Sequence, residues 1–239
     1  MKNQENPLGI NRRSLLKIAG IGALVAAGGI GVKYVTSPPR SETVTDKDIT
    51  ADRAWELLKA GNERYVAKKL SHPHQTGSRI TELATGQHPF AIVLGCADSR
   101  VPPEIIFDRG LGDLFVIRVA GNIVDDAIAG SIEYAAEELK VPLLVVLGHE
   151  RCGAVTAAVK GSELPGEINT LVNAIKPAVK SVKGLPGDIV ENSVKANIKI
   201  VVSTLKSKYP MVSELVKSNK LKIVGGRYDL DRGKVDLIA

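Results

Sequence analysis

A chain of 239 residues with 44% hydrophobic side chains is long enough for one α/β core with attached segments and short for two independent catalytic domains. Its net charge of +6 is concentrated at the start, where Lys2, Arg12, Arg13, Lys17 and Lys33 stand against Glu5 alone within residues 1–37. No later stretch joins a basic run to interleaved aromatics, which argues against nucleic acid as a partner.

Asn11-Arg12-Arg13-Ser14-Leu15-Leu16-Lys17 precedes an apolar, glycine-rich stretch from Ile18 to Val32. A charged start followed by a modest apolar run makes a signal peptide, and the paired arginines resemble the twin-arginine type, with Leu15 where phenylalanine is commonest. Residues 1–37 are therefore expected to export the folded protein to the periplasm or an equivalent extracytoplasmic compartment. The alternative is an uncleaved membrane anchor, because the stretch falls just under the roughly 20 residues of a spanning helix and no clean small-x-small site follows it. In either case the membrane is met only through this segment. Residues 38–49, with Pro38-Pro39, read as a linker, and residues 50–239 as the catalytic domain.

Within that domain Thr50 is placed to cap a helix carrying Ala54, Trp55, Leu57 and Leu58, stopped at Gly61, with a further turn or two bearing Tyr65 and Val66. Ser71 to Gln87 is polar and reads as a loop. Its His72-Pro73-His74 and the adjacent His88 are expected to be solvated. Phe90 to Gly95, Leu114 to Val119 and Val141 to Leu147 are apolar runs rich in branched aliphatics, as parallel strands covered on both faces require. Asp125 or Asp126 caps a helix over Ala127 to Lys140, which completes a right-handed crossover. Further helices are expected from Gly153, across a segment kinked at Pro177, from an Asp188/Glu191 capping box, and from Pro210. Leu221 to Gly225 reads as a last strand, and Arg227 to Ile238 as a hairpin turning at Asp231-Arg232-Gly233. The predicted fold is α/β: a mostly parallel central sheet flanked by helices, with N-terminal helices and a C-terminal hairpin.

Two of the apolar runs end in chemistry. The first closes in Cys96-Ala97-Asp98-Ser99-Arg100 and the other in Gly148-His149-Glu150-Arg151-Cys152, at the carboxyl ends of strands, where open sheets bind ligands. The chain has two cysteines, and both are here. A Cys96–Cys152 disulfide or two inert buried thiols is the plainer reading. His149, three residues before Cys152, weighs against it, as do Asp98 and Arg100 beside Cys96. Two thiolates and one imidazole make the three-protein-ligand set of a catalytic Zn2+, with the fourth position left to water whose pKa falls toward about 7. Asp98 is a candidate fourth ligand in a closed state, and Arg100 offers a bidentate partner that draws Asp98 off the metal. Cys152 opens a helix, where backbone dipoles favour a thiolate.

Cys96-Ala97-Asp98-Ser99-Arg100-Val101-Pro102-Pro103-Glu104, Arg118-Val119-Ala120-Gly121-Asn122 and Gly148-His149-Glu150-Arg151-Cys152-Gly153-Ala154 closely resemble the β-class carbonic anhydrases, and the similarity runs from about Ala54 to the end. The resemblance implies reversible hydration of carbon dioxide to bicarbonate and a proton by a zinc-bound hydroxide, in a homodimer or tetramer with one zinc per subunit. It implies Cys96, His149 and Cys152 as zinc ligands, Asp98 as acceptor from the hydroxide, and Arg100 as the group holding Asp98. Gln87 aligns with a donor to substrate oxygen, Phe115 and Tyr134 with aromatic pocket walls at the dimer interface, and Gly121 and Gly153 with close backbone approach near the metal. His88 is a conceivable proton shuttle. Two positions depart from the pattern. Val93 stands where one subgroup has the tryptophan of a noncatalytic bicarbonate site, and Glu150 where Ser or Thr is common. Competing readings keep the scaffold and change its use: a carbon disulfide or carbonyl sulfide hydrolase, or a noncatalytic zinc-stabilised assembly protein. The intact Asp98 and Arg100 argue against the last.

Overall fold

A computed structural model describes residues 49–161 and 164–239, so the expected export segment and nearly all of the linker lie outside the described residues. Four parallel strands, β1 (Ala91–Gly95), β2 (Leu114–Arg118), β3 (Leu143–His149) and β4 (Lys222–Tyr228), form the sheet with β5 (Val235–Leu237), which pairs antiparallel to β4; the order is β2-β1-β3-β4-β5. Every residue of β1 and β3 is buried, which accounts for the unbroken branched-aliphatic runs. β2 is just as apolar, yet its first four residues are only half-buried, because it lies at an open edge. Sequence and topology therefore agree on a mostly parallel α/β sheet, with the C-terminal hairpin as its antiparallel edge.

The helices cover this sheet. α1 (Ala51–Val66) begins at Thr50, whose hydroxyl accepts the Arg53 N–H at 3.2 Å. It runs through Gly61 without stopping, contrary to the sequence expectation. Here glycine serves close approach: a Cβ on residue 61 would lie 1.7 Å from the Phe107 carbonyl oxygen. The supposed loop over 71–87 contains α2 (Gly77–Leu83), started by the Thr76 side chain, and none of its residues is buried, so no apolar stripe announced it. α3 (Pro103–Ile106) follows β1. The helix expected over 127–140 is α4 (Asp126–Glu133), capped by Asp125, and it widens into a π turn over Tyr134–Glu138 that still buries Ala135 and Ala136. α5 (Gly153–Lys160), α6 (Ile168–Ser181, with Pro177 inside), α7 (Ile189–Lys208) and α8 (Pro210–Lys217) complete the set. Asp188 caps α7 by accepting the Glu191 N–H at 2.7 Å. The Glu191 carboxylate does not reciprocate; it pairs with Lys195 at 3.1 Å and Arg227 at 2.7 Å, so half of the expected capping box is used.

Two buried carboxylates fix the loops between α1 and β2. Asp108, its side chain 1% exposed, accepts from Arg64 Nε at 2.6 Å, Ser71 N at 2.9 Å, Ser71 Oγ at 2.8 Å and His72 N at 3.0 Å. Burial alone would raise its pKa; the donors from Ser71, Arg64 and His72 outweigh burial and hold it at about 2. Asp113 pairs with His74 Nδ1 at 2.5 Å. His74 is thus partnered rather than merely solvated, while His72 and His88 are exposed.

Candidate metal centre

Adjacent parallel strands bring the two cysteine motifs together. Gly95 at the end of β1 is in register with Leu147 of β3, so Cys96, His149 and Cys152 converge just past the paired ends. One ligand atom from each, all within 4.8 Å of one another, forms a cluster whose three residues are buried. The cysteines are free thiols, which sets aside the disulfide. His149 Nδ1 lies 2.8 Å from the Glu150 carbonyl oxygen. A carbonyl can only accept, so Nδ1 carries the proton and Nε2 offers its lone pair. That Nε2 is fully buried and has no hydrogen-bond partner. A buried, unpartnered imidazole nitrogen facing two thiols is the donor set of a soft-to-borderline divalent metal, and the residues fit zinc.

The thiols differ electrostatically. Cys152 donating to it, helped by the backbone N–H groups of Gly121 and Asp98, holds the Cys96 thiol well below its ordinary range against the opposing effect of burial. Cys152 is pushed up by its bond to Cys96, by burial and by the neighbouring thiolate, while N–H groups at the start of α5 pull the other way. The Gly121 N–H reaches Cys96 Sγ at 3.3 Å from a turn, Ala120–Asn122, in which Gly121 has φ 73°. The left-handed backbone there favours glycine, and a Cβ would also stand 2.6 Å from Ile175 Cδ1 and make that side chain shift.

Asp98 lies beside the cluster, with Oδ2 3.8 Å from His149 Nε2. Arg100 grips both its oxygens, Nε to Oδ1 at 2.9 Å and Nη2 to Oδ2 at 2.8 Å, and the Arg100 N–H adds a bond to Oδ1 at 3.0 Å. The Arg100 side chain holds the Asp98 carboxyl far below the usual carboxylate range. Arg118 had no role assigned from sequence. Its Nε donates to the Cys96 carbonyl at 3.0 Å and its Nη2 to the Asp98 carbonyl at 2.6 Å, stapling the loop between them. A cation closing the apolar run Leu-Phe-Val-Ile was the signal for it. Glu150 also acquires a role: its carboxylate pairs with Arg227 and accepts the Leu230 N–H at 2.9 Å, tying the residue after His149 to the C-terminal hairpin.

Among the described residues, Gln87, Phe115 and Tyr134 share no hydrogen bond with the cluster or with the Asp98–Arg100 pair beside it. Gln87 is exposed ahead of β1. Phe115 and Tyr134 form a ring pair with centroids 6.3 Å apart, and Tyr134 is 50% exposed.

Fold and site together define an α/β protein with a buried thiol–imidazole cluster able to hold a metal at the ends of two buried parallel strands. A carbonic anhydrase family model matches residues 91–235. Over 188 residues the chain is 44% identical to carbonic anhydrase 2 of Mycobacterium tuberculosis and 41% identical to a carbonic anhydrase of Mycolicibacterium smegmatis, each alignment spanning 77% of this chain and 91% of the relative. Among solved structures it is similar to a tetrameric β-carbonic anhydrase from Sordaria macrospora, with a TM-score of 0.64, 26% identity and coverage of 77% of this chain and 96% of that one. A β-carbonic anhydrase from Coccomyxa, solved with acetazolamide, gives a TM-score of 0.60 at 26% identity over 79% of this chain and 83% of its own. The chain belongs to the carbonic anhydrase family, in its β class, and its reaction is the reversible hydration of carbon dioxide.

Proposed function

We propose that Cys96 Sγ, His149 Nε2 and Cys152 Sγ hold one zinc ion per subunit and that Asp98 and Arg100 carry carbon dioxide hydration beside it. The observation that carries this is the buried, unpartnered His149 Nε2 facing two thiols, with Asp98 Oδ2 3.8 Å away. When bound there, zinc supplies Lewis acidity that brings the pKa of water toward about 7. Asp98, kept ionised by Arg100, can accept a hydrogen bond and cannot donate one. It therefore orients the attacking water, with one lone pair toward the carbon of carbon dioxide, and the proton lost in forming bicarbonate leaves to solvent or buffer. Arg100 positions Asp98: both carboxylate oxygens are engaged, which supports the state in which Asp98 stands off the metal rather than serving as fourth ligand.

Assembly is part of the same reading. β2 presents an apolar but half-buried edge, and Tyr134, half exposed, packs on Phe115 of that strand. A second copy against this edge would cover both rings and complete a pocket to which Gln87 contributes, which supports a homodimer; the Sordaria relatives are tetrameric. Residues 1–37 direct export by the twin-arginine route, a reading supported by Arg12-Arg13 and the following apolar stretch.

Stopped-flow carbon dioxide hydration by the zinc-quantified protein, at pH 7 and about pH 8.5, tests the mechanism. Near-stoichiometric zinc with activity that collapses in Asp98→Ala is the expected result. Wild-type activity in Asp98→Ala, or zinc retained at full affinity by Cys152→Ser, would overturn it.

A further inference from the structure

Asn197 is out of place by the usual logic of its helix. It lies inside α7 between Val194 and Ile198, on a buried stripe that continues through Val201, Val202 and Leu205, and is itself only 2% exposed. Asparagine is a poor helix former, and a buried amide is costly unless it is bonded. Its Nδ2 does not turn back on its own helix but donates to the Gly121 carbonyl at 2.9 Å, 76 residues away in sequence.

Gly121 is the residue whose N–H reaches Cys96 Sγ at 3.3 Å. Its turn is held at few points. Asn122 N bonds Val119 O at 3.0 Å, Val119 N bonds Gly95 O at 3.1 Å, and Ile175 and Ala154 fill the space a Cβ on Gly121 would need. Both Gly121, with φ 73°, and Asn122, with φ 42°, are left-handed, a conformation that persists only where the surroundings impose it. Without Asn197 the Gly121 carbonyl would be buried without this partner, and the turn would have to rotate toward another donor. The N–H directed at Cys96 belongs to the adjoining peptide unit, across the same Cα, so displacing the turn moves it relative to the sulfur.

We infer that Asn197 is a positioning residue for the metal: by holding the Gly121 turn it aims an N–H at the Cys96 sulfur and so sets how firmly zinc is held. This rests on the assignment of zinc to Cys96, His149 and Cys152 made above. The N–H···S bond draws charge from the thiolate and fixes its direction, and losing such outer partners typically costs 10- to 100-fold in metal affinity.

The test measures zinc affinity by chelator competition, together with the thiolate-to-cobalt charge-transfer absorption of the cobalt-substituted protein, in the full chain, Asn197→Ala, Asn197→Leu and Ser193→Ala. Asn197→Leu keeps roughly the side-chain volume and has no donor at any pH; it carries the test should Asn197→Ala not fold. Ser193 is the control: it is also buried in α7, but its hydroxyl bonds Ile189 O of its own helix at 2.7 Å. Both Asn197 variants are expected to lose 10- to 100-fold in zinc affinity and to shift the cobalt band, with Ser193→Ala matching the unaltered protein in both. A folded Asn197 variant with unaltered affinity and cobalt spectrum overturns the inference, as does an equal loss in Ser193→Ala. Failure of the unaltered protein to bind zinc would overturn the zinc assignment itself, which is a separate outcome.

Discussion

Replacing Asp108 by asparagine removes a charge that four donors were built to receive. The carboxylate is 1% exposed and links α1, through Arg64, to the loop at Ser71 and His72. A carboxyl that titrates at about 2 folded and 3.8 unfolded contributes about 2.5 kcal/mol at neutral pH, and an amide that turns NH2 toward existing donors adds an unpaired-donor cost of about 1 kcal/mol or more. The sign follows from the depressed folded pKa. The contribution is fully present above 3.8 and is lost as pH falls through the window down to about 2. Urea unfolding at pH 7 should therefore place Asp108→Asn about 2–4 kcal/mol below the unaltered protein at an unchanged denaturant slope. In the metal-stripped protein the gap should narrow between pH 4 and pH 2. A variant within 0.5 kcal/mol at pH 7, or a gap that widens on acidification, would refute the reasoning.

Gly61→Ala should destabilise by about 3 kcal/mol or more although it raises helix propensity, because the new methyl meets the Phe107 carbonyl; a rise in melting temperature would contradict the close approach. Arg100→Ala should lower kcat by about 10²-fold or more while zinc stays bound, since Asp98 loses both clamps and is free to move onto the metal; the measurement is stopped-flow hydration beside metal analysis. Cys152→Ser should bind zinc poorly. Adding zinc at about 100 times its Kd should raise the folding stability of the unaltered protein by about 2.7 kcal/mol and leave the variant's nearly unchanged, as read by thermal melts.

The strands and the Cys96–His149–Cys152 cluster were legible because each is encoded locally. An unbroken branched-aliphatic run needs cover on both faces, and Cys96 or Cys152 follows its strand within a few residues. The misreadings arose where the deciding partner is distant in sequence. Gly61 looks like a helix stop until Phe107 arrives against it. The His74 partner, Asp113, lies 39 residues on. α2 is short and buries nothing, so its capping by Thr76 left little trace in periodicity. The site divides in the same way: Asp98 and Arg100 are two residues apart and readable as a pair, whereas Arg118 works on backbone carbonyls, which no side-chain motif reveals. Phe115 and Tyr134 look like ordinary core aromatics in sequence, yet one lies half-buried on an edge strand and the other half exposed.

The proposed metal ligands straddle two strands that meet only as neighbours in the finished sheet, Cys96 after β1 and His149 closing β3, with Gly95 facing Leu147. A slip of one residue between these strands reverses which face each side chain occupies and carries Cys96 about 3.3 Å along relative to His149. A mispaired chain of this kind cannot bring three donor atoms to one point, however apolar its core. Because both runs are almost uniformly aliphatic, hydrophobic pattern alone discriminates weakly between the two alignments. Metal binding at the proposed site would therefore add stability to the native register alone, favouring the one alignment that packing by itself would not single out.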